Sequence, residues 1–320
     1  MSDKNNKIRN VNFGQYSIFI VNIIAFIFLS LLRENFFRYT NIYSIIFGIS
    51  MEFLLVIGMT LLLIMGEIDL SIGSVFAFSG IFAGFLMMKL DMPTWAGILL
   101  CLCVTAAIGY INGFLVVRFR ANSLMITIGT MIFFRGIADA FINLMRGVTY
   151  PSGYRAIANF RIGGINFTII LMVLLMIILE FLLLNHTAFK KFYYIGQNIR
   201  SAKLYGIKVE KIKHTVFILT SVTAGLAGIF AASRSGQTVY NTGQGLEFKM
   251  ITAAILGGAS LFGGKGSIVK SFFGLLLLAV ILNGLIMFNI DPVWTDVVIG
   301  IVLIFAIVLD TRINREQFEY

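Results

Sequence analysis

Apolar runs of about 18 residues or more recur along the whole chain, and each is long enough to cross a hydrocarbon core roughly 30 Å thick as a helix. No other feature constrains the fold as strongly. Composition agrees: 58% of the residues are hydrophobic and 12% are charged, against about 25% charged in soluble domains. The expected fold is an all-α polytopic membrane protein. Hydropathy places about ten spans, near 17–32, 42–65, 71–88, 94–117, 123–145, 166–185, 214–233, 248–262, 271–288 and 293–309. The shorter ones are candidates for broken or re-entrant elements. A tail over 1–16, a transmembrane domain over 17–309 and a tail over 310–320 complete the expected organisation. The polar start "MSDKNNKIRNVNFGQ" leads into an apolar stretch closed by Arg33 and Glu34. Without a small-residue cleavage site there, an uncleaved first span is expected.

The net charge of +10 bears on orientation rather than on nucleic acid, because the cations sit in short loops and form no basic domain. With the N-terminus cytoplasmic, 16 Lys and Arg fall on the cytoplasmic side and 8 on the other, leaving Arg135 inside a span. Positive residues favour the cytoplasm, so both termini are expected there. Cys101 and Cys103, two apart in an apolar run, point to different sides of a helix and read as packing residues. His186 and His214 lack metal-ligand spacing. No metal site and no bound cofactor is expected.

The stretch "MGEIDLSIGS", 65–74, sets Glu67 and Asp69 between two apolar runs, with Ser71 following and Gly66 and Gly73 on either side. A carboxylate in hydrocarbon is costly. One reading is a tight helix hairpin in which Asp69 accepts hydrogen bonds from the free amides starting the third helix. The other is a carboxylate lining a water-filled path. Arg135 and Asp139, four apart, either pair on one helix face or form a polar stripe facing such a path. Asn112 and Asn283 each precede a glycine and are expected to bond between helices. Glu52 and Glu180 are weaker candidates.

The segment 186–214 is hydrophilic and basic, and encloses a short helix-competent piece, "NIRSAKLYG", that Gly206 can end. Such a helix is marginal alone and needs a partner or an anionic lipid surface to rest on. In 241–267, Gly257–Gly258 and Gly263–Gly264 bracket an apolar segment, a pattern that allows close backbone approach and broken elements shielded by protein. "GGKGS" imitates a phosphate-binding loop, but Ala259 and Gly266 stand where a glycine and a hydroxyl residue are required.

The succession "GEIDLSIGS", "LMITIGTMIFFRGIA", "IGQNIRSAKLYGI", "ITAAILGGASLFGGKGS" and "NGL" resembles the permease subunits of ATP-binding-cassette sugar importers of the ribose, xylose, galactose, rhamnose and autoinducer-2 type. The resemblance covers 45–309. It implies a multi-pass subunit of the bacterial inner membrane, packed against a second permease, alike or different. Below it would lie cytoplasmic ATPases that use the ATP; above it, an extracytoplasmic solute-binding protein would deliver a sugar. It further implies that Gly196, Asn198, Ala202, Gly206 and Ile207, with Lys203 among them, form the coupling segment that docks on the ATPase. Three departures are specific to this chain: Glu67 where a second glycine is usual, Ile199–Arg200–Ser201 before Ala202, and Ser123 near the place of a common proline.

Rival readings are an ion- or proton-coupled carrier using Glu52, Asp139 and Glu180, a non-transporting scaffold or receptor, and an importer for nucleosides or branched amino acids.

Overall fold

The computed structural model describes residues 13–313 except 146 and 238–240. The described residues form thirteen helices and one two-stranded hairpin. The helices are α1 (Phe13–Leu32), α2 (Tyr39–Ile64), α3 (Ile72–Lys89), α4 (Thr94–Phe119), α5 (Ser123–Leu144), α6 (Ser152–Asn159), α7 (Phe167–Asn185), α8 (Thr187–Gln197), α9 (Ile199–Leu204), α10 (Val209–Ser235), α11 (Leu246–Leu256), α12 (Ile268–Met287) and α13 (Trp294–Ile313). Between α6 and α7, β1 (Arg161–Ile162) pairs antiparallel with β2 (Ile165–Asn166). The fold is an all-α polytopic membrane protein: eight helices are long and apolar enough to cross a bilayer, and α1 adds the shorter apolar stretch Ser17–Leu32.

Burial divides these helices into a centre and a rim. In α2 and α3, 78% of the most apolar window is buried, against 17% in α5 and α7 and 11% in α13. The rim helices turn Ile, Leu and Phe outward, as a lipid-facing surface requires, because lipid tails solvate apolar side chains. Small residues set the spacing at the centre. A Cβ on Gly58 of α2 would come within 2.9 Å of the Thr220 Cα of α10, and one on Gly109 of α4 within 2.5 Å of the Phe217 carbonyl oxygen. Such close approach is how helices gain dispersion contacts in lipid.

One expectation changes. The span expected at 248–262 is α11, whose 11 residues extend only about 16 Å at 1.5 Å per residue. Gly257 and Gly258 end it, because Gly258 takes φ +85°, a conformation that side chains disfavour. It is a half-helix surrounded by α2, α3, α12 and α13, so its free ends are shielded from lipid. At the C-terminal side α13 runs through Asp310 to Ile313; 314–320 lie outside the described residues, as do 1–12 of the N-terminal tail.

Candidate functional site: a junction of glycine motifs

The α2–α3 turn is built by a helix-ending motif. The Gly66 N–H donates to the Leu63 carbonyl and the Glu67 N–H to the Leu62 carbonyl, both at 2.9 Å, while Gly66 adopts φ +73°. This is a Schellman cap, which satisfies carbonyls that the helix leaves unpaired. Beyond it the chain stays buried, so its amides need partners. Ser123 Oγ accepts from the Ile68 N–H at 3.2 Å and Thr127 Oγ1 from the Leu70 N–H at 3.0 Å. The first turn of α5 therefore completes the hairpin.

Asp69 is fully buried. Its Oδ1 accepts from the Ser71 N–H at 2.8 Å and the Ser71 hydroxyl at 2.5 Å. Asn112 Nδ2 of α4 donates to Ser71 Oγ at 2.9 Å and to Asp69 Oδ2 at 3.5 Å. Burial raises the Asp69 carboxyl above its ordinary value, opposed by these hydrogen bonds. The expected cap is thus displaced. Asp69 closes a turn onto Ser71, the residue before α3, and makes no bond to the first-turn amides, because Ser71 is itself the N-cap residue. Glu67 pairs with Lys213 near the start of α10, a partner the sequence did not reveal because 146 residues separate the two.

The same turn carries the contact that joins the motifs. The Gly264 N–H donates to the Ile64 carbonyl of α2 at 2.8 Å. A Cβ on Gly196, in α8, would overlap that carbonyl and the Gly264 nitrogen. One on Gly263 would lie 2.8 Å from the Gly196 carbonyl oxygen and 3.0 Å from the Gly66 nitrogen. The hairpin, the coupling-like segment and the glycine block therefore meet backbone to backbone at one point. Around it, Tyr193 donates to the Gly266 carbonyl at 2.9 Å, its phenol pushed up to about 12 by burial and by nearby Glu180, so it remains a donor at neutral pH. Glu180 accepts from the Ile268 N–H at 2.8 Å and caps α12, where a carboxylate is favoured by the helix dipole. Asp310 accepts from the Leu261 N–H at 3.1 Å. Gly257 packs on the first turn of α12, where a Cβ would stand 2.5 Å from the Ser271 Cα. Gly258 donates to the Ile255 carbonyl at 2.8 Å and Ala259 to that of Ala254 at 2.9 Å, a second Schellman cap.

Outward from the junction, α8 and α9 form a bent pair. Asn198 caps α9, its Oδ1 accepting from the Ser201 N–H at 3.0 Å, and Ala202 is the buried anchor. Gly206 ends α9 at φ +75°, with Gly206 donating to Lys203 at 3.0 Å and Ile207 to Ala202 at 3.1 Å. This third Schellman cap was expected from the sequence. Lys203 pairs with Glu210. Leu204 is 89% exposed and Tyr205 86%. Beside them a groove of about 720 Å³ is lined by Thr187, Lys191, Tyr194, Ser201, Tyr205 and Ile207 among others.

Deeper in the bundle, the loop before α11 meets α3 and α5. Arg135 donates from Nη1 to the Thr242 carbonyl at 2.8 Å and from Nη2 to that of Gly243 at 3.0 Å. Of the two readings of Arg135 and Asp139, the ion pair is not formed; among the described residues the ion pairs are Glu67–Lys213, Lys203–Glu210 and Glu52–Lys249. The planar guanidinium spans adjacent carbonyls as a fork, whereas Asp139 is half-buried on α5. Arg135 stands twelve residues into α5, about 18 Å from its start, so α11 begins far inside the bundle. The α3 glycine Gly73 lies against buried Glu247 of α11: a Cβ there would overlap the Glu247 carboxylate. No sequence signal pointed to Glu247. Asn283 of α12 exchanges amide hydrogen bonds with Asn41 of α2, at 2.9 Å and 3.0 Å, an interhelical bond of the expected kind.

The family described as "Branched-chain amino acid transport system / permease component" matches residues 41–307. The ribose import permease protein RbsC of Escherichia coli (strain K12) is 30% identical over 301 residues, covering 92% of each chain. The autoinducer 2 import system permease protein LsrC of Yersinia pseudotuberculosis (serotype O:1b, strain IP 31758) is 31% identical over 300 residues, covering 91% of this chain and 83% of its own. LsrC of Yersinia enterocolitica is 32% identical over 300 residues, covering 91% and 81%. No solved structure matches. A multi-helix membrane bundle whose glycine motifs converge on one junction, matched along nearly all its length, belongs to this family of transport-system permease components.

Proposed function

We propose that the chain is the permease subunit of an ATP-driven importer in the bacterial inner membrane, forming the path for a monosaccharide or sugar-like solute. One observation carries the reading. The α8–α9 pair presents Leu204 and Tyr205 almost bare at its tip, while its inner end, Gly196, is locked to the end of α2 and to Gly264. A tip without intramolecular cover and a base fused to the membrane helices suit a part that is pushed from outside. The pusher is a cytoplasmic ATPase, which binds and hydrolyses the ATP. Lys190, Lys191 and Arg200 on this segment suit an acidic docking surface.

The end carrying α8 and α9 then faces the cytoplasm, with both termini, in agreement with the Lys and Arg bias. A second permease, identical or not, shares the path, and an extracytoplasmic binding protein delivers the solute. ATP binding biases a two-state bundle, opening the path to one side at a time. The relatives' names favour a sugar over a branched amino acid. Of the three acids a proton relay would use, Glu52 is paired with Lys249 and Glu180 caps α12, so two are engaged separately.

The test is purification from native membranes in mild detergent, followed by reconstitution. A stoichiometric ATPase, with ATP-dependent uptake of labelled ribose in preference to labelled leucine, is expected. Preference for leucine overturns the substrate class; a preparation without an ATPase overturns the importer.

A further inference from the structure

We infer that the Glu67–Lys213 ion pair is a positioning clip that makes the α2–α3 hairpin follow α10 when the α8–α9 pair is displaced. The inference rests on the proposed ATP-driven reading.

Force can leave the α8–α9 tip by two routes. Through Gly196 it reaches Ile64 and Gly263, hence the end of α2 and the hairpin. Through Lys203–Glu210 it reaches the first turn of α10, the helix that packs on α2, α3 and α4. Helix packing already joins α10 to α2 and α3 along their lengths, and the Lys213–Glu67 contact ties α10 to the hairpin itself at the end that carries α8 and α9. Its burial suits the role: Glu67 is 8% exposed, so the pair is poorly screened by salt. Breaking one partner also leaves a buried charge, which opposes independent movement of hairpin and α10. Close packing such as Gly58 on Thr220 opposes sliding in the middle of the bundle, whereas at this end the other ion pair to α10, Lys203–Glu210, is half exposed and weak.

The test uses the complex of permease and ATPase, with spin labels on Leu124→Cys and Lys211→Cys in a Cys103→Ala background. Leu124 adjoins Ser123, which holds the hairpin; Lys211 is exposed at the start of α10. EPR distances are compared without nucleotide and after trapping with ATP and vanadate. The wild-type distance is expected to hold within about 1–2 Å, the scale of a helix shift at an interface. In Glu67→Gln it shifts or broadens beyond that on trapping, and the thermal midpoint falls because Lys213 is left buried and unpaired, while ATP hydrolysis by the partner continues. The swap E67K/K213E restores the held distance. A wild-type distance that itself changes on trapping, or a Glu67→Gln trace that superimposes on wild type in both states, overturns the clip. A swap that does not restore the distance also overturns it. Absence of ATP hydrolysis in the wild-type complex instead overturns the importer reading, a failure distinguishable because it appears before any label is read.

Discussion

Gly66 and Gly206 end their helices with the same device, at φ +73° and +75°, yet the segments that follow them differ: buried after Gly66, from Glu67 to Leu70 apart from half-buried Ile68, and largely exposed around Gly206. Gly66 stands at the exposed rim of the junction, with Phe262 and Gly263 atoms 3.7–3.8 Å from where its Cβ would be, whereas a Cβ on Gly206 would meet nothing within 4 Å. Identical local chemistry thus serves two purposes. At Gly66 it turns a buried chain so that other backbones can reach the end of α2. At Gly206 it stops a short helix so that Leu204 and Tyr205 stand free. The cap dictates where a helix ends; whether that end is covered depends on what the rest of the chain brings to it.

The largest effect should come from filling the covered junction. Gly196→Val must displace the Ile64 carbonyl and the Gly264 amide, which are backbone atoms. We expect a loss of about 3 kcal/mol or more, read as collapse of the monodisperse peak in detergent chromatography. A full yield of Gly196→Val with an unchanged thermal midpoint would break the comparison, since the junction would then be loosely packed.

Next is the bare tip. Leu204→Ala and Tyr205→Ala together should leave thermal stability within about 0.5 kcal/mol, while weakening ATPase association by about 2 kcal/mol, roughly 30-fold. Titration of the ATPase onto the reconstituted permease reads the second number. Equal affinity for wild type and variant would remove the tip from the docking surface.

Gly66→Ala and Gly206→Ala sharpen the contrast. Both force a side chain into the left-handed region at about 1 kcal/mol, and the nearest atom to a Gly66 Cβ is 3.7 Å away, so neither adds a clash. The two should shift the thermal midpoint alike. A much larger shift for Gly66→Ala would show that the junction has no slack for one methyl.

The smallest effect is a slope with pH. Burial raises the Asp69 carboxyl above 3.8, so in the window between that value and its folded one the native state holds the proton more tightly. Stability from this group is present at low pH and declines as pH rises through the folded value. Asp69→Asn lacks that term, and its midpoint should fall less than that of wild type as pH is raised. Parallel curves would mean that Ser71 and Asn112 offset burial completely.

Sequence legibility followed the range of each interaction. Gly206 was readable because a helix stop depends on neighbours within five residues. Asn283 was readable as an interhelical bond, though not as the partner of Asn41. The apolar run at 248–262 was legible as a candidate broken element from its glycines, but its bounds were not, because hydropathy sums side chains and does not place the stop at Gly257–Gly258. Arg135 and Asp139 have the right spacing to pair, yet the guanidinium bonds two carbonyls from a loop more than 100 residues away. Glu247 was missed entirely: a lone acid beside a glycine loop carries no signal until Gly73 lies against it.

The sequence by itself determined that this chain lives in a membrane as helices, because apolar length and backbone satisfaction leave little choice. It also determined where several helices end, because a cap is local. Only the tertiary structure decided that Gly66, Gly196 and Gly263 touch, and that Glu67 answers Lys213. Those contacts join residues far apart along the chain, and their energy comes from close packing and low-dielectric pairing, which exist only once the helices have assembled.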